Sequence, residues 1–163
     1  MEIMLNIALI ILLGLAFFQD NKGRSIHLLL LIALGAVNIL LFAQTTFSWN
    51  IVLLNALFTI TVLVLLVLYL SLKEGRLVNI FKTHFGLGDL VFLLAITPLF
   101  SNRNFILFFI TGIVFSGCTH VLMSQLKRTG ETVPLAGYLA IYLIALKVVG
   151  ICTNMNVFYN DLI

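Results

Sequence analysis

The sequence predicts an all-α, polytopic membrane protein, a single domain over residues 1–163 built as a bundle of six transmembrane helices. Three observations carry that expectation. Of the 163 residues, 62% are hydrophobic and only 9% are charged, and mean hydropathy is +1.20. A soluble domain carries about 45–50% apolar and about 25% charged residues, and a chain this short cannot hide the excess. Six stretches reach or approach the roughly 20 apolar residues that one span needs. The basic residues, finally, sort by loop. The composition excludes several classes. Two cysteines, Cys118 and Cys152, make neither a tetracysteine zinc site nor a CxxC redox pair. Nine basic residues without a patch argue against nucleic acid as a partner.

The spans follow in order as Ile3–Phe18, Ile26–Ala43, Trp49–Leu72, roughly Leu87–Phe100, Phe105–Met123 and Pro134–Ile151. The first has Glu2 before it and no small-residue cleavage site after it, so it reads as a permanent helix rather than a signal peptide. Lys22 and Arg24 follow span 1, Lys73, Arg76 and Lys82 follow span 3, and Lys127 and Arg128 follow span 5. The opposite side carries Arg103 alone, while Lys147 lies within span 6, where its stem can snorkel to the surface. The positive-inside rule then puts both termini outside and the three basic loops in the cytoplasm. This orientation suits the cytoplasmic membrane.

Polar residues within the spans have structural readings first. Asn38 and Asn55 fall at similar depth near the outer ends of spans 2 and 3, and a hydrogen bond between their amides is expected. Gly112 with Ser116, and Ala136 with Ala140, have the small-xxx-small spacing that lets helices approach closely. His27, His84 and His120 do not converge on a metal site. The thiols are expected to be free and buried, and Ser116 and Ser124 lack a base partner. Trp49 and Tyr159 suit the outer interfacial belt, and the phenylalanines are expected to face lipid or pack.

Two acidic residues differ from the other four. Asp20 adjoins the exit of span 1 and Asp89 the entry of span 4, so span parity puts both at the cytoplasmic face. They are 69 positions apart in sequence, yet the topology can bring them together. Two neighbouring carboxylates that share a proton supply a base to activate water and an acid to protonate a scissile carbonyl. Gly86 and Gly88 flank Leu87 immediately before Asp89 and permit close backbone approach, by a helix or by an extended substrate. Span 4 counted from Leu87 is about 21 Å long, short of the hydrocarbon thickness of about 30 Å. Either the helix begins near Leu77 with the glycines inside it, or the bilayer thins there. A plainer alternative makes Asp89 a helix cap and Asp20 a loop residue.

Gly86-Leu87-Gly88-Asp89 resembles the GxGD signature of membrane aspartyl proteases, and within that class the chain is most similar to type IV prepilin peptidases and archaeal preflagellin peptidases. Asp20 followed six positions on by Ile26 is similar to their D-x5-I-P-N pattern, and Val133-Pro134-Leu135-Ala136 to the proline-led entry of a late helix. His27 and Leu28 stand where the bacterial pattern has Pro-Asn, and Val91 where a lysine commonly lies. The four-cysteine segment associated with N-methylation is absent, so cleavage without methylation is expected.

The resemblance implies an aspartic endopeptidase that cuts the leader of prepilin-like substrates at the cytoplasmic face. It implies Asp20 and Asp89 as the catalytic pair, Gly86, Gly88 and Ile26 as motif and substrate-access positions, and no metal or organic cofactor. The Leu77–Phe85 loop would gate or bind the leader. Two other readings stay open: a non-catalytic transporter or complex subunit whose aspartates bind protons or cations, and an inactive peptidase homologue. Partners beyond substrate and membrane lipid, and the oligomeric state, are not legible.

Overall fold

The computed structural model describes residues 2–23, 25–46, 48–75, 86–125, 134–153 and 158. The described residues form six α-helices and no strand: α1 (Glu2–Gly23), α2 (Leu28–Phe42), α3 (Trp49–Glu74), α4 (Leu87–Ile96), α5 (Asn102–Gln125) and α6 (Leu135–Thr153). A 3-10 turn, Thr97–Leu99, continues α4. Three helices, α1, α3 and α5, are long and apolar enough to cross a membrane, whereas α2, α4 and α6 are shorter apolar helices. Large apolar side chains such as Ile3, Leu29, Leu53, Leu72 and Leu122 are exposed along the outer faces. Apolar surface on that scale marks a protein whose surroundings are themselves apolar.

The core is built from stripes at helical spacing. On α1 the buried residues are Leu9, Leu13, Ala16 and Asp20, which repeat at intervals of four, three and four and therefore share one face. Its most extensive contact is with α6, where Ala136 and Ala140 are fully buried. Small side chains on both helices let the backbones close up. Helix α2 packs on α1 and α4, while α3 buries only Asn55, Thr59 and Leu63 and leaves most of its length uncovered. Gly75, at φ 65°, ends α3 in the left-handed conformation that glycine accepts without strain.

Helix α4 stops early, and its end explains the two buried amides. Pro98 lacks the N–H that would continue the ladder to Leu94, and the Thr97 hydroxyl donates to the Leu94 carbonyl instead at 2.8 Å. The next free carbonyls recruit side chains from neighbouring helices. Asn38 Nδ2 donates to the Ala95 carbonyl at 2.8 Å. Asn55 Nδ2 donates to the carbonyls of Thr97 at 3.1 Å and Phe100 at 3.0 Å. The expected hydrogen bond between Asn38 and Asn55 is therefore not formed. A helix that ends away from water leaves carbonyls with no other donor, and satisfying them takes precedence over joining the two amides. Their own Oδ1 atoms take no partner among the described residues.

Other side-chain expectations have separate outcomes. Lys147 is half-buried, with Nζ 4.4 Å from the centre of the Phe158 ring. Several phenylalanines pack inward, one of the two roles expected of them, with Phe100 stacked on Phe108 at 4.8 Å and against Phe158 at 5.1 Å. Cys118 is a free thiol but exposed, because α5 turns Gly112 and Ser116 inward and residue 118 falls on the opposite side. Gly112 makes the close approach its spacing suggested: a Cβ there would sit 2.6 Å from Leu139 Cδ2. The side chain of Cys152, together with Tyr159, His84 and the Leu77–Phe85 loop, lies outside the described residues.

Candidate functional site

Three helix ends meet at the opposite end of the bundle. Helix α1 continues past the expected Phe18 boundary to Gly23, so Asp20 is a helical residue and not a loop residue. It continues the Leu9–Leu13–Ala16 stripe and is only 6% exposed. The turn into α2 is tied by the His27 amide, which donates to Gln19 Oε1 at 3.0 Å. His27 caps α2 at an extended φ of −62° and ψ of 131°, so α2 begins at Leu28 rather than at Ile26. Ile26 is half-buried and packs against the core.

Asp89 is the third residue of α4. Gly86 precedes the helix in extended conformation, φ −73° and ψ 140°, which rules out a longer helix with the glycines inside it. The Gly86 amide donates to Asp89 Oδ2 at 3.2 Å, closing the start of the helix as a capping interaction. The cap expectation for Asp89 is thus met by one carboxylate oxygen. The other oxygen has a different partner.

That partner is the N-terminus of α6. The first-turn amides of a helix lack intrahelical acceptors and carry the positive end of the helix dipole. The Ala136 amide donates to Asp89 Oδ1 at 2.9 Å, and the Gly137 amide donates to Asp20 Oδ2 at 2.6 Å. Two carboxylates from distant parts of the chain therefore sit on consecutive backbone amides. Neighbouring Cα atoms are about 3.8 Å apart, so the acids are held within a few ångströms of each other. Asp20 and Asp89 are two oxygen-bearing side chains, and among the described residues no third His, Cys, Asp or Glu joins them in a group that could hold a metal ion.

The glycines around the pair have unequal roles. A Cβ on Gly137 would lie 3.0 Å from Asp20 Oδ2 and 3.2 Å from Asp20 Cβ. Gly137 is what lets the acid reach its amide. A Cβ on Gly86 would lie 3.1 Å from Asp89 Oδ2, whereas at Gly88 nothing stands within 4 Å. Gly88 thus faces open space. Sequence reasoning missed Gly137 and treated Ala136 as a packing residue. Two signals were present: Pro134 at the entry to the last helix marks its first turn, and Asp20 shares the apolar stripe of α1.

No family model, curated protein or solved structure matches the chain. What the site can do is therefore read from its own geometry. The arrangement fastens two carboxyl groups to neighbouring backbone amides rather than to flexible side chains, with open space at Gly88.

Proposed function

We propose that the chain is a membrane aspartyl endopeptidase of the prepilin-peptidase type, with all six helices embedded and the acid pair facing the cytoplasm. One observation carries this reading: Asp20 and Asp89, 69 positions apart, accept from consecutive amides at the start of α6. A pair of carboxyl groups at this spacing holds a water between them. One carboxylate takes its proton as it attacks the scissile carbonyl, and the other, protonated, donates to the carbonyl oxygen. The two acids titrate as a unit.

The Ala136 and Gly86 amides hold the two oxygens of Asp89, and the Gly137 amide holds Oδ2 of Asp20. A carboxylate oxygen accepts more than one hydrogen bond, so water and substrate can join them. An extended leader segment lies beside Gly88, where nothing stands within 4 Å of a Cβ. The three shorter helices suit this reading, because a bilayer thinned around α4 brings water to Asp89. The test is co-expression with a prepilin-like precursor. Cleavage is expected from the native chain and lost in Asp20→Asn and in Asp89→Asn, with membrane insertion unchanged. Full cleavage by either variant overturns the proposal.

A further inference from the structure

At the end of the bundle remote from the acids, a cavity of about 220 Å³ opens between α1, α2, α6 and Phe158. Glu2 and Asp20 are 18 residues apart on α1, or about 27 Å, so this cavity is separate from the candidate active site. Its walls carry opposite charges on different helices: Glu2 on α1 and Lys147 on α6. Among the described residues, neither makes an ion pair with the other or with any further group. Asn6, one turn along α1 from Glu2, turns a buried Oδ1 with no hydrogen-bond partner among the described residues. Leu99 and Phe158 form an apolar floor, both almost fully buried.

These observations specify a ligand. A half-buried ammonium that rests over an aromatic ring, with Glu2 near enough to act on it electrostatically but not closed into an ion pair, attracts an anionic oxygen. A carboxylate and an orphaned amide oxygen a short way off call for a donor with N–H groups. The space equals that of about seven waters, which fits a small zwitterion and not a large organic molecule. Gln44 and Thr45 add polar groups to the lining, while outside the cavity Ile3 and Met4, next to Glu2 in sequence, are 76% and 78% exposed, and Val148 is exposed as well. Trp49 stands at the same end of the bundle, half exposed and 4.9 Å from Phe42, as interfacial tryptophans do.

We propose that this cavity binds the headgroup of a phospholipid carrying a primary ammonium, with the phosphate on Lys147 and the ammonium between Glu2 and Asn6 Oδ1. The acyl chains then run down the uncovered apolar faces of α1 and α6. A quaternary ammonium lacks the N–H groups that Glu2 and Asn6 require, and a headgroup without nitrogen leaves both acceptors unmet.

The test uses the full chain in nanodiscs of phosphatidylcholine doped with phosphatidylethanolamine or phosphatidylglycerol, reading co-purified lipid and thermal unfolding. Phosphatidylethanolamine is expected to be retained selectively and to raise the unfolding temperature. Lys147→Met, Glu2→Gln and Asn6→Leu should each reduce retention, Lys147→Met by about tenfold. Asp20→Asn, remote from the cavity, should leave retention unchanged even where cleavage is lost, which separates this site from the peptidase reading. A parallel arm adds soluble glycerophosphoethanolamine to phosphatidylcholine discs. Stabilisation there supports the same headgroup chemistry and assigns its source to a free solute. Equal retention of all three lipids, or retention unchanged in all three variants, overturns the proposal.

Discussion

Helix α4 faces one physical problem at its two ends and meets it with different chemistry. At its far end, interrupted by Pro98, free carbonyls are capped by the neutral amides of Asn38 and Asn55. At its start, free amides of α4 and α6 are capped by the carboxylates of Asp89 and Asp20. Carbonyls need donors and amides need acceptors, so the sign of the partner is dictated by which end of a helix is exposed. An acceptor, however, need not be ionisable. Asparagine or serine caps a helix start nearly as well as aspartate. Two acids at one helix start, where neutral acceptors would hold the fold, give that end titratable groups that the other end lacks, and the proposed peptidase function rests on this contrast.

The sharpest way to break that comparison is to exchange Asp and Asn in both directions. Asp20→Asn keeps an oxygen for the Gly137 amide, and Asp89→Asn keeps one for Ala136 while turning its NH2 toward the Gly86 amide. Both remove a carboxyl group that the proposed reaction needs. Cleavage of a prepilin-like precursor should fall by at least about 100-fold. Stability, followed by thermal unfolding in detergent, should change in Asp20→Asn by the charge–dipole contribution of about 0.3–1 kcal/mol. It should change more in Asp89→Asn, where the Gly86 amide loses its acceptor at a cost of about 1–3 kcal/mol. Asn55→Asp does the reverse, because a carboxylate cannot donate to the carbonyls of Thr97 and Phe100. It should lower stability by about 3–5 kcal/mol, as an uncompensated buried charge does. Unimpaired folding of Asn55→Asp would mean that water reaches this end of α4.

A milder cut removes the amide without adding charge. Asn55→Leu leaves two carbonyls without their donor, and Asn38→Leu leaves one. Each lost partner should cost about 0.6–2 kcal/mol, with the Asn55 variant the less stable in the same unfolding assay. Equal stability for the two would show that the Phe100 bond contributes nothing.

These contrasts mark what was legible in the sequence. Helix positions followed from apolar length: Trp49 begins α3 as expected, and α5 and α6 differ from their spans only at the ends. The convergence of Asp20 and Asp89 was legible through span parity, since membrane helices reverse direction at every loop. Partner identity was not. Asn38 and Asn55 lie at matching depths, and depth alone cannot reveal that Pro98 frees backbone carbonyls at that same depth. Gly137 was hidden for a similar reason. A glycine early in a helix has no periodic signature, and its need appears only when Asp20, 117 positions away, lies against it.

Smaller effects distinguish the glycines on the acid side. Gly137→Ala forces a methyl to 3.0 Å from Asp20 Oδ2, so the carboxylate must retreat from its amide. The helix should tolerate the change, as alanine is the better helix former by about 0.8–1 kcal/mol. Activity should still drop about tenfold, given how steeply rate depends on the position of a reacting group. An active, more stable Gly137→Ala would show that Asp20 does not depend on this amide.

The smallest effect belongs to Gly88, and it separates a fold requirement from a substrate requirement. Nothing stands within 4 Å of a Cβ built there, and its neighbour Gly86 has Asp89 Oδ2 at 3.1 Å. Gly88→Ala should therefore leave thermal unfolding unchanged or slightly raised, because α4 gains a better helix former. Gly86→Ala crowds the acid directly. If the open face at Gly88 receives an extended leader, Gly88→Ala should raise the precursor concentration needed for half-maximal cleavage while leaving the maximal rate alone. Gly86→Ala should lower the maximal rate instead. Identical kinetics for Gly88→Ala and the native chain would place the substrate elsewhere along the acid pair, because a methyl group on a surface in contact with an extended peptide cannot pass unnoticed.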